Sequence, residues 1–140
     1  MAACTWRYPQ KGQAVAAQVS LWRQREAAIV ASKNGKFFHI QVKTATSQEN
    51  GKFFFSISQA SFKRYHDTNV YYVFVMRLGT RNEFVIMPST HIEYILNAGI
   101  ITAQATLLFS ISADAKNSKY TLNGKHDITP FYGKFGEIIR

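Results

Sequence analysis

Polar and hydrophobic residues alternate along much of this chain with a period of two, which is typical of strands that are half buried in a sheet. The clearest case is residues 37–44, in which every second side chain is apolar. Its apolar positions are Phe38, Ile40 and Val42, and the positions between them are Phe37, His39, Gln41 and Lys43. Residues 70–77 are apolar throughout and rich in β-branched and aromatic side chains, which predicts a buried central strand. Further strands are predicted at residues 27–32, 52–58, 83–87, 106–112 and 119–122.

Four segments predict helices, at residues 13–25, 59–66, 89–97 and 132–139. The first is rich in Ala and Gln, and its apolar residues recur at three- and four-residue spacing. Ser58 is available as the N-cap of the second helix. We therefore expect an α/β (α+β) fold, with a mixed central sheet flanked by helices, built as a single domain over residues 1–140.

The dipeptide Asn34-Gly35 predicts a tight hairpin turn, because a type I′ turn needs positive φ at both of its central residues. If these two residues form the turn, Glu26 on the first strand lies opposite Lys43 on the second. Ala27 then lies on the other face of the hairpin. One β-bulge would reverse this assignment.

Composition narrows the classes of protein that fit. Hydrophobic residues make up 46% of the chain and charged residues 18%, which excludes a disordered tail. No run approaches the roughly 20 apolar residues of a membrane helix. The single cysteine excludes an internal disulfide and a multi-cysteine zinc site. Because the first ten residues also lack the apolar run of a signal peptide, we expect a cytoplasmic protein without a membrane partner.

The net charge of the chain indicates the kind of partner that it could bind. Seventeen Lys and Arg residues against eight Asp and Glu residues give a formal net charge of +9, most of it in the first third of the chain. A basic surface suits a polyanion, because each neutralised phosphate releases counterions, although it can also serve solubility alone. The candidate contacts to nucleic acid are Lys36, His39, Lys63, Arg64, Arg77 and Arg81.

Gln41 and Lys43 are the candidate chemical groups. Side chains two apart on a strand point to the same face. An ammonium beside an amide oxygen can polarise a phosphate and help to position a metal-bound water. The same pattern is also that of any strand with one solvated face, so the spacing leaves both interpretations open.

Residues 37–77, read from FFHIQVKT to YYVFVMR, resemble the core of the PD-(D/E)XK nuclease superfamily. The similarity is to members that carry Gln-x-Lys, such as group I intron-associated homing endonucleases, in which a hairpin strand with this motif is followed by a helix and a buried strand. The later VIMPSTHIEYIL resembles the strand and helix that come next. The resemblance implies a restriction-endonuclease-like fold.

The resemblance also implies roles for individual residues. Gln41 and Lys43 match the Gln-x-Lys motif, so Gln41 would help to hold Mg²⁺ (or Mn²⁺) and Lys43 would orient the attacking water. The family's aspartate falls on Ala27, and the nearby acid is Glu26. Glu26 is therefore either a metal ligand and catalytic residue or the partner of Lys43 in a cross-strand ion pair of about 0.2–1 kcal/mol. The N-terminal part would be shortened relative to the family.

The function expected from these observations is metal-dependent hydrolysis of phosphodiester bonds in double-stranded DNA by a homodimer. The alternative is a catalytically inactive relative that kept the fold and acts as a nucleic-acid-binding or protein-interaction module.

Overall fold

The structure is a computed structural model, and it describes residues 2–10, 13–23, 26–33, 35–46, 51–65, 69–79, 81–114 and 116–133. Ten strands and two α-helices occur within these ranges. The strands are β1 (Ala2–Gln10), β2 (Gln13–Arg23), β3 (Glu26–Lys33), β4 (Lys36–Thr46), β5 (Lys52–Ser58), β6 (Val70–Arg77), β7 (Asn82–Pro88), β8 (Thr106–Asp114), β9 (Lys119–Leu122) and β10 (His126–Asp127). The helices are α1 (Gln59–Tyr65) and α2 (Ser89–Asn97), and a 3₁₀ turn follows at Thr129–Phe131.

The larger sheet has six strands in the order β1-β2-β3-β4-β6-β7. Its strands pair antiparallel except for β4 and β6, which are parallel because the chain crosses over through β5 and α1 between them. The predicted mixed sheet is therefore confirmed. Strand β6 lies between β4 and β7, and seven of its eight residues are buried or half-buried, as expected for the apolar segment 70–77.

The N-terminal segment differs from its prediction. Residues 13–25 were expected to form a helix, but Gln13–Arg23 is strand β2, paired antiparallel with β1 on one side and β3 on the other. The same residues also alternate at period two, with Val15, Val19 and Leu21 on one set of positions. Because the β3–β4 hairpin presents a free edge to this segment, pairing of the backbone outweighs the modest helix propensity of Ala and Gln.

A second, antiparallel sheet of four strands, in the order β10-β9-β8-β5, was not expected. Strand β5 lies where the sequence predicted a strand, but it pairs with β8 and not with the central sheet. Phe74 of β6 packs against Phe55 of β5 and Phe109 of β8, with ring centroids 5.0 and 5.3 Å apart, so this sheet covers one face of the larger one. The structure thus adds a second sheet to the expected central sheet and helices, and the mixed α+β class is confirmed.

The two helices lie on the same side as the second sheet. Phe62 of α1 and Ile92 and Ile95 of α2 belong to the main core between the sheets, whose other members come chiefly from β5, β6, β7 and β8. Helices at these positions were predicted. The terminal helix predicted at 132–139 falls mainly outside the described residues. No helix in the described ranges has the length and hydrophobicity needed to cross a membrane.

Candidate functional site

The β3–β4 hairpin has the predicted register. Lys33 pairs with Lys36 around the two-residue connection, in which Gly35 has a φ of +77° that only glycine adopts readily. The pairing continues without a shift to Glu26 opposite Lys43. Ala27 pairs with Val42 and so lies on the other face, which means that no bulge reverses the assignment.

The face that carries Gln41 and Lys43 is turned toward the main core. Gln41 pairs with Tyr72 of β6 and Lys43 pairs with Phe74, and these two aromatic side chains are only 2% and 0% exposed. Gln41 and Lys43 themselves are half-buried. An ordinary solvated face would expose them, so the polar positions of β4 lie at the margin of the space between the two sheets.

The apolar positions of β4 lie on the opposite face, as predicted. Phe38 is buried in a second hydrophobic cluster with Val73, Val75 and Ile86, and Ile40 and Val42 pack against that cluster. Both faces of β4 therefore contact other side chains. This arrangement fixes the direction in which the polar positions point.

Aromatic residues surround the candidate site on the β6 side. Phe62 of α1 lies 6.2 Å from Tyr72, between ring centroids, and Phe55 of β5 lies against Phe74. Burial raises the pKa of the Tyr72 hydroxyl to about 12, so this phenol stays neutral. In such surroundings water screens charges poorly, so the charge of a half-buried ammonium such as that of Lys43 is screened less than it would be at an open surface.

Phe37, His39, Gln41 and Lys43 share one face of β4, and we call them the β4 row. The exposure of these side chains rises toward the hairpin. Lys43 and Gln41 are half-buried, His39 is exposed, and the ring of Phe37 is 64% exposed. Pairing with β6 begins at His39 opposite Val70, so Phe37 lies beyond the start of β6. The His39 amide donates a hydrogen bond to the Asn69 carbonyl at 2.9 Å, which ties the loop before β6 to this part of β4.

The six predicted nucleic-acid contacts fall at two ends of β6. One group, which we call the basic end, comprises Lys36, His39, Lys63 and Arg64, all exposed. Four residues of sequence separate the end of α1 from the start of β6, and His39 pairs with the first residue of β6, so connectivity brings these residues to one end of the sheet. The other group, the arginine end, comprises Arg77 and Arg81.

The two ends are separated by the length of β6, about 23 Å at 3.3 Å per residue. The arginine end also contains a buried carboxylate. Glu83 is 6% exposed, accepts a hydrogen bond from the Tyr120 hydroxyl at 2.5 Å, and forms an ion pair with Arg81 at 3.2 Å. Burial and the hydrogen bond to Glu83 raise the pKa of Tyr120. Arg81 thus has a structural partner, and the six candidate contacts do not form one continuous patch.

Two histidines from separate elements meet in a place that sequence spacing did not reveal. The Nε2 atoms of His91 on α2 and His126 on β10 are 2.9 Å apart, and the rings, inclined by 25°, have centroids 5.1 Å apart. This separation equals about the nitrogen–nitrogen distance plus two ring radii, so the rings meet edge to edge as a hydrogen-bonded pair. Burial and the charge of His126 lower the pKa of His91. No sequence motif pointed to this pair, because 35 residues separate the two histidines in the chain.

Among the described residues, no group of three or more His, Cys, Asp or Glu side chains is close enough to hold a metal ion. The acid nearest to the Gln-x-Lys pair by register is Glu26, and Lys43 has its own contacts within the fold. The residues that the register brings together are therefore one carboxylate, one amide and one ammonium. Comparison of the chain with family models, with curated proteins and with solved structures finds no match.

Proposed function

We propose that this protein is a metal-dependent DNA endonuclease that hydrolyses phosphodiester bonds at the β4 row, with Glu26, Gln41 and Lys43 as its catalytic residues. The observation that carries the proposal is the half-buried position of Gln41 and Lys43 on the core-side face, with Glu26 opposite Lys43. Polar groups held between two sheets are more costly to maintain than groups on a solvated face, which favours a chemical role.

The order of elements supports a restriction-endonuclease-like fold for this proposal. A hairpin strand with Gln-x-Lys (β4) is followed, after strand β5 of the second sheet, by a helix (α1), a buried strand parallel to the hairpin strand (β6), and then a strand and helix (β7 and α2). The extra N-terminal strands β1 and β2 extend the sheet beyond the hairpin.

The donor set is compatible with Mg²⁺ or Mn²⁺. Glu26 and Gln41 occupy diagonal positions on neighbouring strands, which lie within reach of long side chains. Magnesium is commonly held by one or two carboxylates together with substrate phosphates, and it accepts hard oxygen ligands such as a carboxylate and an amide. When bound there, the ion would supply a Lewis acid and lower the pKa of a water molecule.

The protein's own groups position the substrate. Lys43 donates hydrogen bonds to a phosphate oxygen and stabilises the negative charge that develops on the phosphate, and it orients the attacking water. The surrounding aromatic rings of Tyr72, Phe74 and Phe62 limit access of bulk water. The exposed cations of the basic end bind the DNA backbone.

We further propose that the substrate is double-stranded DNA, that two chains act together as a homodimer, and that the protein works in the cytoplasm. Cutting both strands of a duplex requires two sites, which a homodimer supplies with one on each chain. Light scattering checks the assembly: a mass near twice the chain's 15.9 kDa at micromolar concentration supports the dimer, and a mass near 15.9 kDa overturns it.

Nicking of supercoiled plasmid tests the activity. Wild-type protein should nick in Mg²⁺ and not in EDTA, and Lys43→Ala should lower the rate by about 100-fold or more, because charge stabilisation in the transition state is lost. Glu26→Gln and Gln41→Ala should lower it and raise the Mg²⁺ concentration needed. Lys52→Ala is the matched control, since Lys52 is an exposed lysine on β5. Nicking that survives Lys43→Ala contradicts the proposal.

A catalytically inactive nucleic-acid-binding or protein-interaction module is the second candidate. It is favoured by the single carboxylate at the hairpin and by alanine at positions 27 and 28. DNA binding that weakens steeply with salt, without nicking by the wild type in Mg²⁺ or Mn²⁺, would establish the nucleic-acid-binding alternative. Absence of both nicking and DNA binding would leave the protein-interaction alternative.

A further inference from the structure

Phe37 is the most exposed of the large hydrophobic side chains between residues 29 and 133 whose burial the structure describes, at 64% of its surface. The others with large exposure are Phe54, Tyr94, Leu108 and Tyr132. Phe54 and Leu108 lie near one another on the second sheet, where they line a groove of about 290 Å³. Phe37 instead stands beyond the start of β6, on the same face of β4 as the candidate site.

The spacing connects Phe37 with that site. Phe37, His39, Gln41 and Lys43 are alternate residues of one strand and therefore share a face. Phe37 lies about 13 Å along β4 from Gln41, at 3.3 Å per residue. The row thus begins with an exposed aromatic ring and ends with the half-buried amide and ammonium.

The surroundings of Phe37 are cationic. The charges come from Lys63 and Arg64, which stand at the same end of the sheet, and from Lys36, which adjoins Phe37 in sequence on the opposite face of β4, while His39 follows Phe37 on the same face. A protein partner that buried an apolar ring here would also have to neutralise these charges. A nucleic acid can satisfy both requirements, because its phosphates neutralise the positive charges and one of its bases can stack on the Phe37 ring.

We propose that the basic end binds a single-stranded segment of DNA, with one base stacked on Phe37, and leads that strand along β4 to Gln41 and Lys43. This inference rests on the proposed function and revises its substrate: in place of a continuous duplex, the substrate is DNA with unpaired nucleotides beside the bond that is cut. In a continuous duplex the base faces are covered by neighbouring bases, so a side-chain ring at the surface cannot stack on them. An unpaired base offers its face to the ring.

Fluorescence anisotropy with a labelled single strand of about 20 nucleotides, and with the duplex of the same sequence, tests the proposal. Wild-type protein should bind the single strand more tightly. Phe37→Leu should weaken that binding about tenfold, because the aliphatic side chain cannot stack, while Phe37→Trp should retain it. Phe54→Leu is the matched control, since Phe54 is 55% exposed on the other sheet, and its affinity should stay within about twofold of wild type.

The salt dependence separates stacking from charge. Phe37→Leu removes no charge, so the slope of log affinity against log salt should remain that of wild type, whereas Lys63→Ala should reduce the slope for single strands by about 0.7. Unfolding midpoints close to that of wild type confirm that each variant is folded.

Each outcome decides the inference. It is overturned if the duplex binds as tightly as the single strand or more tightly, if Phe37→Leu binds like wild type, or if Phe54→Leu loses as much affinity. Plasmid nicking that depends on Lys43, together with any of these results, removes the single-strand inference and leaves the endonuclease proposal standing. Failure of the wild type to bind either DNA or to nick plasmid removes both.

Discussion

The two ends of β6 carry the same kind of charge in different settings. At the basic end, Lys63 and Arg64 are exposed on the last turn of α1, and no described carboxylate lies within ion-pair distance of either. At the arginine end, Arg81 contacts the buried carboxylate of Glu83, which also accepts the Tyr120 hydroxyl. The first arrangement leaves charge available to an anionic partner, while the second uses it to satisfy a buried group.

The comparison shows that the role of a lysine or arginine cannot be assigned from the sequence alone, because it depends on which side chains lie next to it in the fold. A buried carboxylate without partners would be costly, so Glu83 needs both the guanidinium and the phenol. The lysine and arginine on α1 satisfy no such need. The basic end is therefore the better candidate for contacts to nucleic acid, and Arg81 at the arginine end serves as a partner of the buried Glu83.

Replacing Glu83 should have the largest effect on stability. Glu83→Ala removes the carboxylate that accepts the Tyr120 hydroxyl in a buried place and that pairs with the exposed Arg81, and the free energy of unfolding should fall by about 2–4 kcal/mol. Lys63→Ala at the basic end should change it by less than about 0.5 kcal/mol, as is usual for an exposed side chain. Urea denaturation measures both, and equal losses would show that the two ends are not different.

DNA binding should respond to the two ends in the opposite order. The double variant Lys63→Ala/Arg64→Ala should weaken binding to duplex about tenfold and reduce the salt slope by about 2, because two phosphate contacts are lost. Arg77→Ala/Arg81→Ala should change the slope by less than about 1, since Arg81 already has a partner. Anisotropy titrations over a range of salt concentrations give the slopes. A larger change from the arginine end would contradict the comparison.

The histidine pair should make stability depend on pH. His91 has a lowered pKa in the fold, so the unfolded chain binds more protons as the pH falls below about 6.5. The stabilisation is present above that pH and is lost as the pH falls through the lowered pKa of His91. Thermal unfolding from about pH 7.5 to pH 5 should show a steeper loss for wild type than for His91→Gln.

A matched variant keeps this prediction specific. His39→Gln replaces an exposed histidine on β4, in the other sheet from His126, and should keep the wild-type pH profile. If His91→Gln follows the same profile as wild type, then the pair does not contribute to the pH dependence.

The smallest expected effect concerns the start of α1, which carries two cations of the basic end. The Ser58 hydroxyl accepts a hydrogen bond from the Ser61 amide at 3.4 Å, a long contact on an exposed turn. Ser58→Ala should lower the free energy of unfolding by about 0.5 kcal/mol, at the low end for an N-cap. DNA affinity should stay within about twofold of wild type, because the cations themselves remain. A loss near 2 kcal/mol would mean that α1 depends on its cap far more than this geometry implies.

Sequence reasoning succeeded where the decisive interactions are local. A two-residue turn at Asn34-Gly35 fixes which residues of the two hairpin strands pair, so the sequence alone predicts Glu26 opposite Lys43, as the structure has it. The uniformly apolar segment 70–77 predicted a buried strand, and Ser58 marked the start of α1. Each of these features depends on residues that are close together in the chain.

Prediction from the sequence failed where a segment fits both helical and strand periodicity, and where two paired strands are far apart in the chain. Residues 13–23 carry apolar side chains at both helical and strand spacing, and the presence of an unpaired neighbouring strand decided between them. The partner of β5 is β8, more than 40 residues later, so nothing local distinguished a second sheet from an extension of the first.

The sequence by itself determined the hairpin, its register, the buried central strand, the helices after β5 and β7, and the strong positive charge. Only the tertiary structure decided that the Gln41 and Lys43 face is turned toward the main core, that Arg81 is held by Glu83, and that His91 meets His126. The physical reason is that local backbone geometry follows from neighbouring residues, whereas burial and pairing of a side chain depend on which distant elements pack against it.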